Sequence, residues 1–315
     1  MSNRKPVVLI TGSSSGIGLA LVRQLGRRLD DYRIVATARE RSLPKLADAG
    51  ILPESQHLRL RALDVTSAPE RETLIAEIER DWGGVDILIN NAGISYRAVV
   101  EHLTEKEEQL QFDTNFFGPT HLIRLCLPGM RRKRAGRIIN VSSVGGMMAM
   151  PTMGAYSASK FALEGISEAL YYEMRPWNIQ VSLIQPGFVR SNAFKKVYVS
   201  EQAREAVKNS GTYANYYWHM GTFIAGLMNR SKTTPERIAA KIVKLIEQPH
   251  PPLRVPASID ARVFTLMTRL VPRRLYHYIL YRNLPGIRTW GTGAHDALEA
   301  ASNLKEVIPE QRSAR

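Results

Sequence analysis

Tyr156 and Lys160 stand four positions apart in Tyr156-Ser157-Ala158-Ser159-Lys160, and Ser143 precedes the tyrosine by thirteen. On a helix, residues at i and i+4 share a face with β-carbons about 5–6 Å apart, so the lysine ammonium can reach the phenol. A phenol titrates near ~10 in water, and a neighbouring cation favours the phenolate and pulls that value toward neutrality. Such a tyrosine can give a proton to a carbonyl oxygen, or take one from an alcohol, while a hydride moves at the adjoining carbon. The spacing also recurs by chance on amphipathic helices, so the pair acquires meaning only from the elements that position it.

Those elements alternate. Val7–Ile10 is a short apolar run leading at once into Thr11-Gly12-Ser13-Ser14-Ser15-Gly16-Ile17-Gly18, after which Leu19, Val22, Leu25 and Leu29 recur at helical steps. Strand, glycine-rich turn and helix aim free N–H groups and a helix N-terminus at a pyrophosphate. Residues 33–37 form a second strand ending in Ala38-Arg39, where a dinucleotide fold meets the adenosine ribose. A carboxylate there bonds a free 2′-hydroxyl, whereas an arginine accommodates a 2′-phosphate, so Arg39 points to NADP(H) over NAD(H). The plainer reading of Arg39 is a solvated loop cation.

Residues 57–63 make a third strand closing in Asp64-Val65, with the carboxylate placed for an adenine amino group. A fourth strand, 85–89, runs into Asn90-Asn91-Ala92-Gly93, a composition suited to backbone passing close to a cofactor. One long helix is expected over 104–130, opening on a capping box at Thr104 and Glu107. Asn115 suits the interior of that helix only if its side chain is engaged. Strand 136–142 delivers Ser142 and Ser143 at its end, the helix of Tyr156 and Lys160 follows, and strand 179–184 runs into Gln185-Pro186-Gly187. This order predicts an α/β fold, a Rossmann-type doubly wound parallel sheet with helices on both faces.

In order and spacing, Thr11-Gly12-x3-Gly16-x-Gly18, Asp64, Asn90-Asn91-Ala92-Gly93, Asn115, Ser143, Tyr156-x3-Lys160 and Pro186-Gly187 together resemble the short-chain dehydrogenase/reductase family over residues 5–255. Val144-Gly145-Gly146 and the run from Ala158 to Gly165 are most similar to its branch of 17-beta-hydroxysteroid dehydrogenases and photoreceptor-type retinol dehydrogenases. The resemblance implies that Tyr156 is the general acid/base and that Lys160 lowers its pKa and bonds the nicotinamide ribose. It further implies that Ser143 holds the substrate oxygen and that Asn115 orients a water linking Lys160 to solvent. The cofactor set it implies is Gly12, Ser13, Ser15, Gly16, Ile17, Gly18, Arg39, Asp64, Val65, Asn91, Ala92, Gly93, Tyr156, Lys160, Pro186, Gly187, Val189 and Ser191, with no metal. Ser191 stands where the family often has threonine and keeps a hydroxyl for the carboxamide. Homodimers or homotetramers are the assemblies it suggests.

Residues 191–234 read as a lid insert rich in aromatic residues and methionine, among them Phe194, Tyr198, Tyr213, Tyr216, Tyr217 and Met228. Such side chains suit either an apolar pocket or the packing of the lid itself. The expected substrate is a lipophilic ketone or aldehyde, such as a steroid, retinoid or long-chain carbonyl compound. Alternatives are a carrier- or coenzyme-bound 3-oxoacyl substrate and, from another class, a dinucleotide-sensing module without turnover.

The 315 residues are 44% hydrophobic and 23% charged, within the range of soluble globular proteins. Net charge is +14, and residues 193–315 carry 19 Lys and Arg against 9 Asp and Glu. Past the first unit, 1–256, a basic amphipathic extension over 257–315 can lie on an anionic membrane through 259–290, pair with another subunit, or cap the core. The opening lacks the apolar length of a signal peptide, and Cys126 is the only cysteine, so the expected location is the cytoplasm. No nucleic-acid motif stands out.

Overall fold

The computed structural model describes residues 4–48, 50, 54–191, 197–209 and 211–291. Phe194 and the tail 292–315 lie outside the described residues. The first half runs β1 (Val7–Ile10), α1 (Gly16–Leu25), β2 (Arg33–Ala38), α2 (Pro44–Asp48), β3 (Leu58–Ala62), α3 (Ala68–Trp82), β4 (Ile87–Asn90) and β5 (Tyr96–Arg97). Then come α4 (Glu105–Phe112), α5 (Gly118–Lys133), β6 (Gly136–Val141), α6 (Gly154–Met174), β7 (Ile179–Gln185) and β8 (Tyr198–Val199). Last are α7 (Glu201–Lys208), α8 (Ala214–Arg230), α9 (Pro235–Glu247), β9 (Arg254–Pro256), α10 (Ile259–Leu270) and α11 (Arg273–Arg282).

β1 is apolar throughout because both its faces are covered. Val8 and Ile10 join Leu21, Ile34, Ile238 and Ile242 on the side of α1 and α9. Val7 and Leu9 point the other way, into Leu74, Ile78, Leu122, Met130 and Leu170 on α3, α5 and α6. The seven strands of the main sheet are all parallel in the order β3-β2-β1-β4-β6-β7-β9. The chain therefore winds outward from β1 to β3, returns, and winds the other way from β4. That reversal opens a crevice between the carboxyl ends of β1 and β4, where ligands of open α/β sheets bind.

Two features depart from the expectations, and a third falls within them. The helix over 104–130 is divided: α4 begins at the capping box, with Thr104 N–H donating to Glu107 Oε2 at 3.0 Å, but Asp113–Phe117 is a wider π-helical turn before α5. Second, β5 and β8 pair in parallel as a small sheet of their own, Tyr96 opposite Tyr198 and Arg97 opposite Val199. Strands of two residues have no periodicity for sequence to reveal. Third, the C-terminal extension is tied to the sheet. Ser258 caps α10 and also accepts the Gly187 N–H at 3.0 Å, while Asp260 accepts that of Phe188 at 2.7 Å. Trp290 stacks on Tyr216 of α8 with ring centres 4.2 Å apart.

Candidate active site

The crevice is a cleft of about 2270 Å³ running from Arg39 and Asp64 past Tyr156 to Met228. That exceeds the ~300–1,000 Å³ of an ordinary ligand pocket and leaves room for a cofactor and a substrate together. At its head, Gly12 has a φ of +70°, and a β-carbon on it would lie 2.7 Å from Ala92 Cα. Gly16 also has a positive φ, +58°, at the entry to α1. The first turn of α1 carries neither a side-chain cap nor an acidic residue, so its N–H groups face the cleft as a site for a pyrophosphate.

Not every residue expected in the cofactor set faces the cleft. Ser13 is fully buried, its N–H donating to Thr37 O at 2.8 Å and its hydroxyl to Ile10 O at 3.2 Å. Ser14, which the sequence reading passed over, lines the cleft beside Ser15, Gly16 and Ile17. Gly18 serves packing, since a β-carbon there would collide with Gly12 O and the Asn91 amide. That amide donates to Thr11 O at 2.9 Å and Gly12 O at 3.0 Å, so the Asn91 side chain holds the loop. Ala92, Gly93, Asp64, Val65, Pro186, Gly187, Val189 and Ser191 all line the cleft, with Asp64 steadied by Thr66 N–H at 3.0 Å. Arg39 is exposed at the end of β2, and Arg41, Lys45 and Arg61 stand around it on the cleft wall.

At the floor, Ser143, Tyr156 and Lys160 converge. The Ser143 hydroxyl accepts the Gly145 N–H at 3.0 Å and shares a hydrogen bond with the Tyr156 phenol. A β-carbon on Gly145 would come within 2.9 Å of Tyr156 Cε1, so this glycine lets the ring lie flat against the turn that follows β6. Lys160 is 5% exposed and donates to Val141 O at 2.8 Å. Burial lowers its pKa to about 8, against the opposing pull of Glu164 one turn along the helix. The Tyr156 phenol is pushed up by burial, partly offset by Ser143. The phenol thus stands above its ordinary value rather than below it, and burial is the leading influence on both groups.

Asn115 occupies the wide turn. Its Oδ1 accepts Ile94 N–H at 2.9 Å, and its Nδ2 donates to Ile94 O at 3.0 Å and Ser159 Oγ at 3.1 Å. The amide thus joins the loop after β4 to α6, which explains an asparagine inside a helix and leaves its side chain engaged by protein groups.

The aromatic insert behaves differently from a pocket lining. Tyr217 is buried against Val99 N–H at 3.0 Å and His102, Tyr213 donates to Glu101, and Tyr216 packs on Trp290. Of the described insert residues beyond Ser191, Val197, Tyr198, Ile224, Met228 and Thr234 reach the cleft. Met150, Met153 and Arg97, which the sequence reading did not single out, also line it. Arg97 is 6% exposed, and burial lowers its pKa to about 10. A single arginine between Tyr96 and Ala98 carries no sign of burial in its spacing.

The family model of short chain dehydrogenase matches residues 6–202. A 3-ketodihydrosphingosine reductase of Bacteroides thetaiotaomicron is 33% identical over 275 residues, covering 87% of this chain and 96% of that protein. Human retinol dehydrogenase 8 is 34% identical, covering 87% of this chain and 90% of that protein. Among solved structures, a short-chain dehydrogenase from Streptomyces avermitilis superposes with a TM-score of 0.72 at 31% identity, covering 88% of this chain and 98% of its own.

The contact of Gly145 with the phenol ring gives a prediction. Gly145→Ala is expected to displace the Tyr156 ring and lower kcat by roughly 10–100-fold while cofactor affinity, measured by fluorescence titration, stays within about threefold. An unaltered kcat would show that the ring does not depend on this glycine.

Proposed function

The chain belongs to the short-chain dehydrogenase family, and from that premise we propose that it interconverts a lipophilic ketone or aldehyde with its alcohol, using NADP(H) in preference to NAD(H). The observation that carries this reading is the convergence of Ser143, Tyr156 and Lys160 midway along a cleft. One end of that cleft is a glycine-rich turn, and the other is lined by Met150, Met153, Ile224 and Met228. The residues fit a dinucleotide: the uncapped start of α1 suits a pyrophosphate, and the arginine-rich wall suits a further phosphate. When bound, the nicotinamide supplies or accepts the hydride.

The chain's own residues do the rest. Ser143 donates to the substrate oxygen and holds it against Tyr156. Tyr156 gives that oxygen its proton in reduction and removes it in oxidation; a phenol held neutral by burial is ready to donate. Lys160, anchored on Val141 O, presents an ammonium beneath the phenol and stabilises charge that develops there. Arg39 selects the cofactor: exposed at the end of β2, it lines the cleft together with two further cations, Arg41 and Lys45.

Access to a lipophilic substrate is served by the C-terminal helices. Ile259 is 74% exposed and Leu270 70%, and Val263 and Leu266 lie between them on one stripe of α10. Leu275, Tyr278 and Tyr281 extend exposed apolar surface along α11, and Arg262, Arg269, Arg273, Arg274 and Arg282 flank it. Among the described residues no helix is long and apolar enough to cross a membrane. A basic amphipathic surface of this kind lies on an anionic bilayer, and α10 starts beside Gly187 and Phe188 at the cleft. Self-association as a dimer or tetramer accords with Phe161, Ile166 and Tyr172 exposed on α6.

Three outcomes check these roles. Tyr156→Phe is expected to lower kcat/KM for carbonyl reduction by about 10²–10⁴-fold with cofactor binding retained, and near-normal turnover would remove Tyr156 from the chemistry. Arg39→Asp should shift the NADPH-to-NADH ratio of kcat/KM by at least about tenfold toward NADH; a constant ratio would assign selection elsewhere. In sedimentation with phosphatidylserine-containing vesicles, Leu266→Glu/Leu270→Glu should weaken binding by at least about tenfold, with turnover of a water-soluble carbonyl compound as the control. Equal sedimentation of the variant would exclude this face.

A further inference from the structure

The wall of the cleft that follows β7 is held by residues from several other elements. Val144 N–H, next to Ser143, donates to Pro186 O at 2.8 Å, and Ala257 N–H donates to Gln185 O at 2.8 Å. Gly187 N–H donates to Ser258 Oγ at 3.0 Å, and Phe188 N–H to Asp260 Oδ2 at 2.7 Å. The Ser231 hydroxyl donates to Phe188 O at 2.5 Å, and Arg190 N–H to Thr233 O at 2.8 Å. Of these partners, Ser258 and Asp260 form the cap and first turn of α10, beyond the residues 6–202 that the family model matches.

Asp260 does more than favour its own helix. An acid in a first turn complements the helix dipole wherever its oxygens lie. Here the carboxylate reaches out of the helix and lies on Gly187, where a β-carbon would come within 1.7 Å of Oδ2 and 2.7 Å of Oδ1. Glycine at 187 is therefore what lets the carboxylate meet the Phe188 N–H. A carboxylate acceptor makes a shorter and stronger bond than a neutral one, and this one spans 72 positions of sequence. Farther along α10, the Thr265 hydroxyl donates to Met147 Sδ at 3.3 Å, and Met147 closes the turn that opens at Ser143. The helix thus touches the loops at the carboxyl ends of both β6 and β7.

We propose that Asp260 is a positioning residue for the cofactor: by fixing Gly187 and Phe188 it sets the wall against which the nicotinamide half rests, so that the C-terminal extension completes the dinucleotide site. The place follows from the chemistry. With the pyrophosphate at the start of α1 and the proton donor at Tyr156, the hydride carbon has to lie between them. The bond from Val144 to Pro186 puts the start of this wall beside Ser143, and Pro186, Gly187, Phe188 and Val189 all line the cleft. A wall free to shift would misplace the nicotinamide, and an error of about 1 Å can cost about 10²-fold in rate.

This inference rests on the reductase reading, and its experiment reads cofactor binding as well as turnover. Kd is measured on the full chain, wild type, Asp260→Ala and Asp260→Asn, for the preferred reduced dinucleotide and for the matching ADP-ribose, which lacks the nicotinamide. Asp260→Ala is expected to weaken the dinucleotide by at least about fivefold, with the fragment within about twofold, and to lower kcat at saturating cofactor by at least about tenfold. Asp260→Asn keeps an amide oxygen for the Phe188 N–H and should stay within about threefold of the wild type in both respects. An unchanged dinucleotide Kd overturns the proposal, as does an equal loss of the fragment, which is the behaviour of general damage to the fold. So does an Asp260→Asn variant as impaired as Asp260→Ala, which would leave the carboxylate only its charge at the helix terminus. Should Asp260→Ala fail to fold, Gly187→Ala, which pushes the carboxylate off the turn, is read by the same pair of Kd values. If the wild type binds the dinucleotide but reduces no carbonyl compound, the reductase reading fails, and the Kd values alone still decide Asp260.

Discussion

The close approach of two backbones at the switch point is the constraint on which the rest of the structure depends. The Thr11 hydroxyl accepts the N–H groups of both Asn91 and Ala92 at 3.0 Å, and the Asn91 amide returns two bonds to the glycine turn. Gly12 can come this near to Ala92 only without a side chain. With β1 and β4 stitched together, the loop from β4 is fixed where Asn115 can grip Ile94, and Asn115 in turn reaches Ser159 on α6. The glycine turn and the catalytic helix are therefore parts of one hydrogen-bonded frame, although more than 100 residues separate them.

Within that frame an ammonium must be buried, and burying it is costly unless polar groups compensate. Lys160 has the Val141 carbonyl directly and Glu164 behind it, and Glu164 is itself held by Gln185 at 2.9 Å and Arg254 at 2.9 Å. A ladder of Asn90, Asn140 and Ser167, each bond 2.8 Å, crosses the sheet close by. The compensation is incomplete. A folded-state pKa of about 8, below the 10.5 of a free lysine, means that the unfolded chain holds the proton more tightly. The site thus costs stability in full below about pH 8, and the cost fades as pH rises toward 10.5. A lysine that titrates so near neutrality responds readily to charge developing on the phenol above it.

The sequence was most legible where chemistry fixes both residue type and spacing. The glycine turn, Asn90 to Gly93, Ser143 and the Tyr156–Lys160 pair could be read because each needs a specific atom at a strand end or on one helix face. The wide turn at Asn115 was visible only as an oddity, an asparagine in a helix. What stayed hidden depends on partners distant in the chain. Tyr217 and Tyr216 look like pocket residues until Val99, His102 and Trp290 are seen to occupy them. Ser13 and Ser14 are indistinguishable as letters, yet the direction of the turn buries one and exposes the other. The sign of the Tyr156 shift was misjudged for the same reason, since spacing reports the neighbouring cation but not the loss of water around both groups.

The division between catalytic frame and substrate end also has a physical basis. Proton transfer tolerates little displacement, so its residues sit on strand ends and a long helix within the main sheet. Recognition of a lipophilic molecule needs area more than exact position, and the elements that supply it are short and peripheral: β5, β8, α8 and the end of the extension at Trp290. These pieces hold one another through Tyr96 on Tyr198, Tyr217 on Val99 and Trp290 on Tyr216 rather than through the main core. They can be rebuilt without disturbing the hydride chemistry.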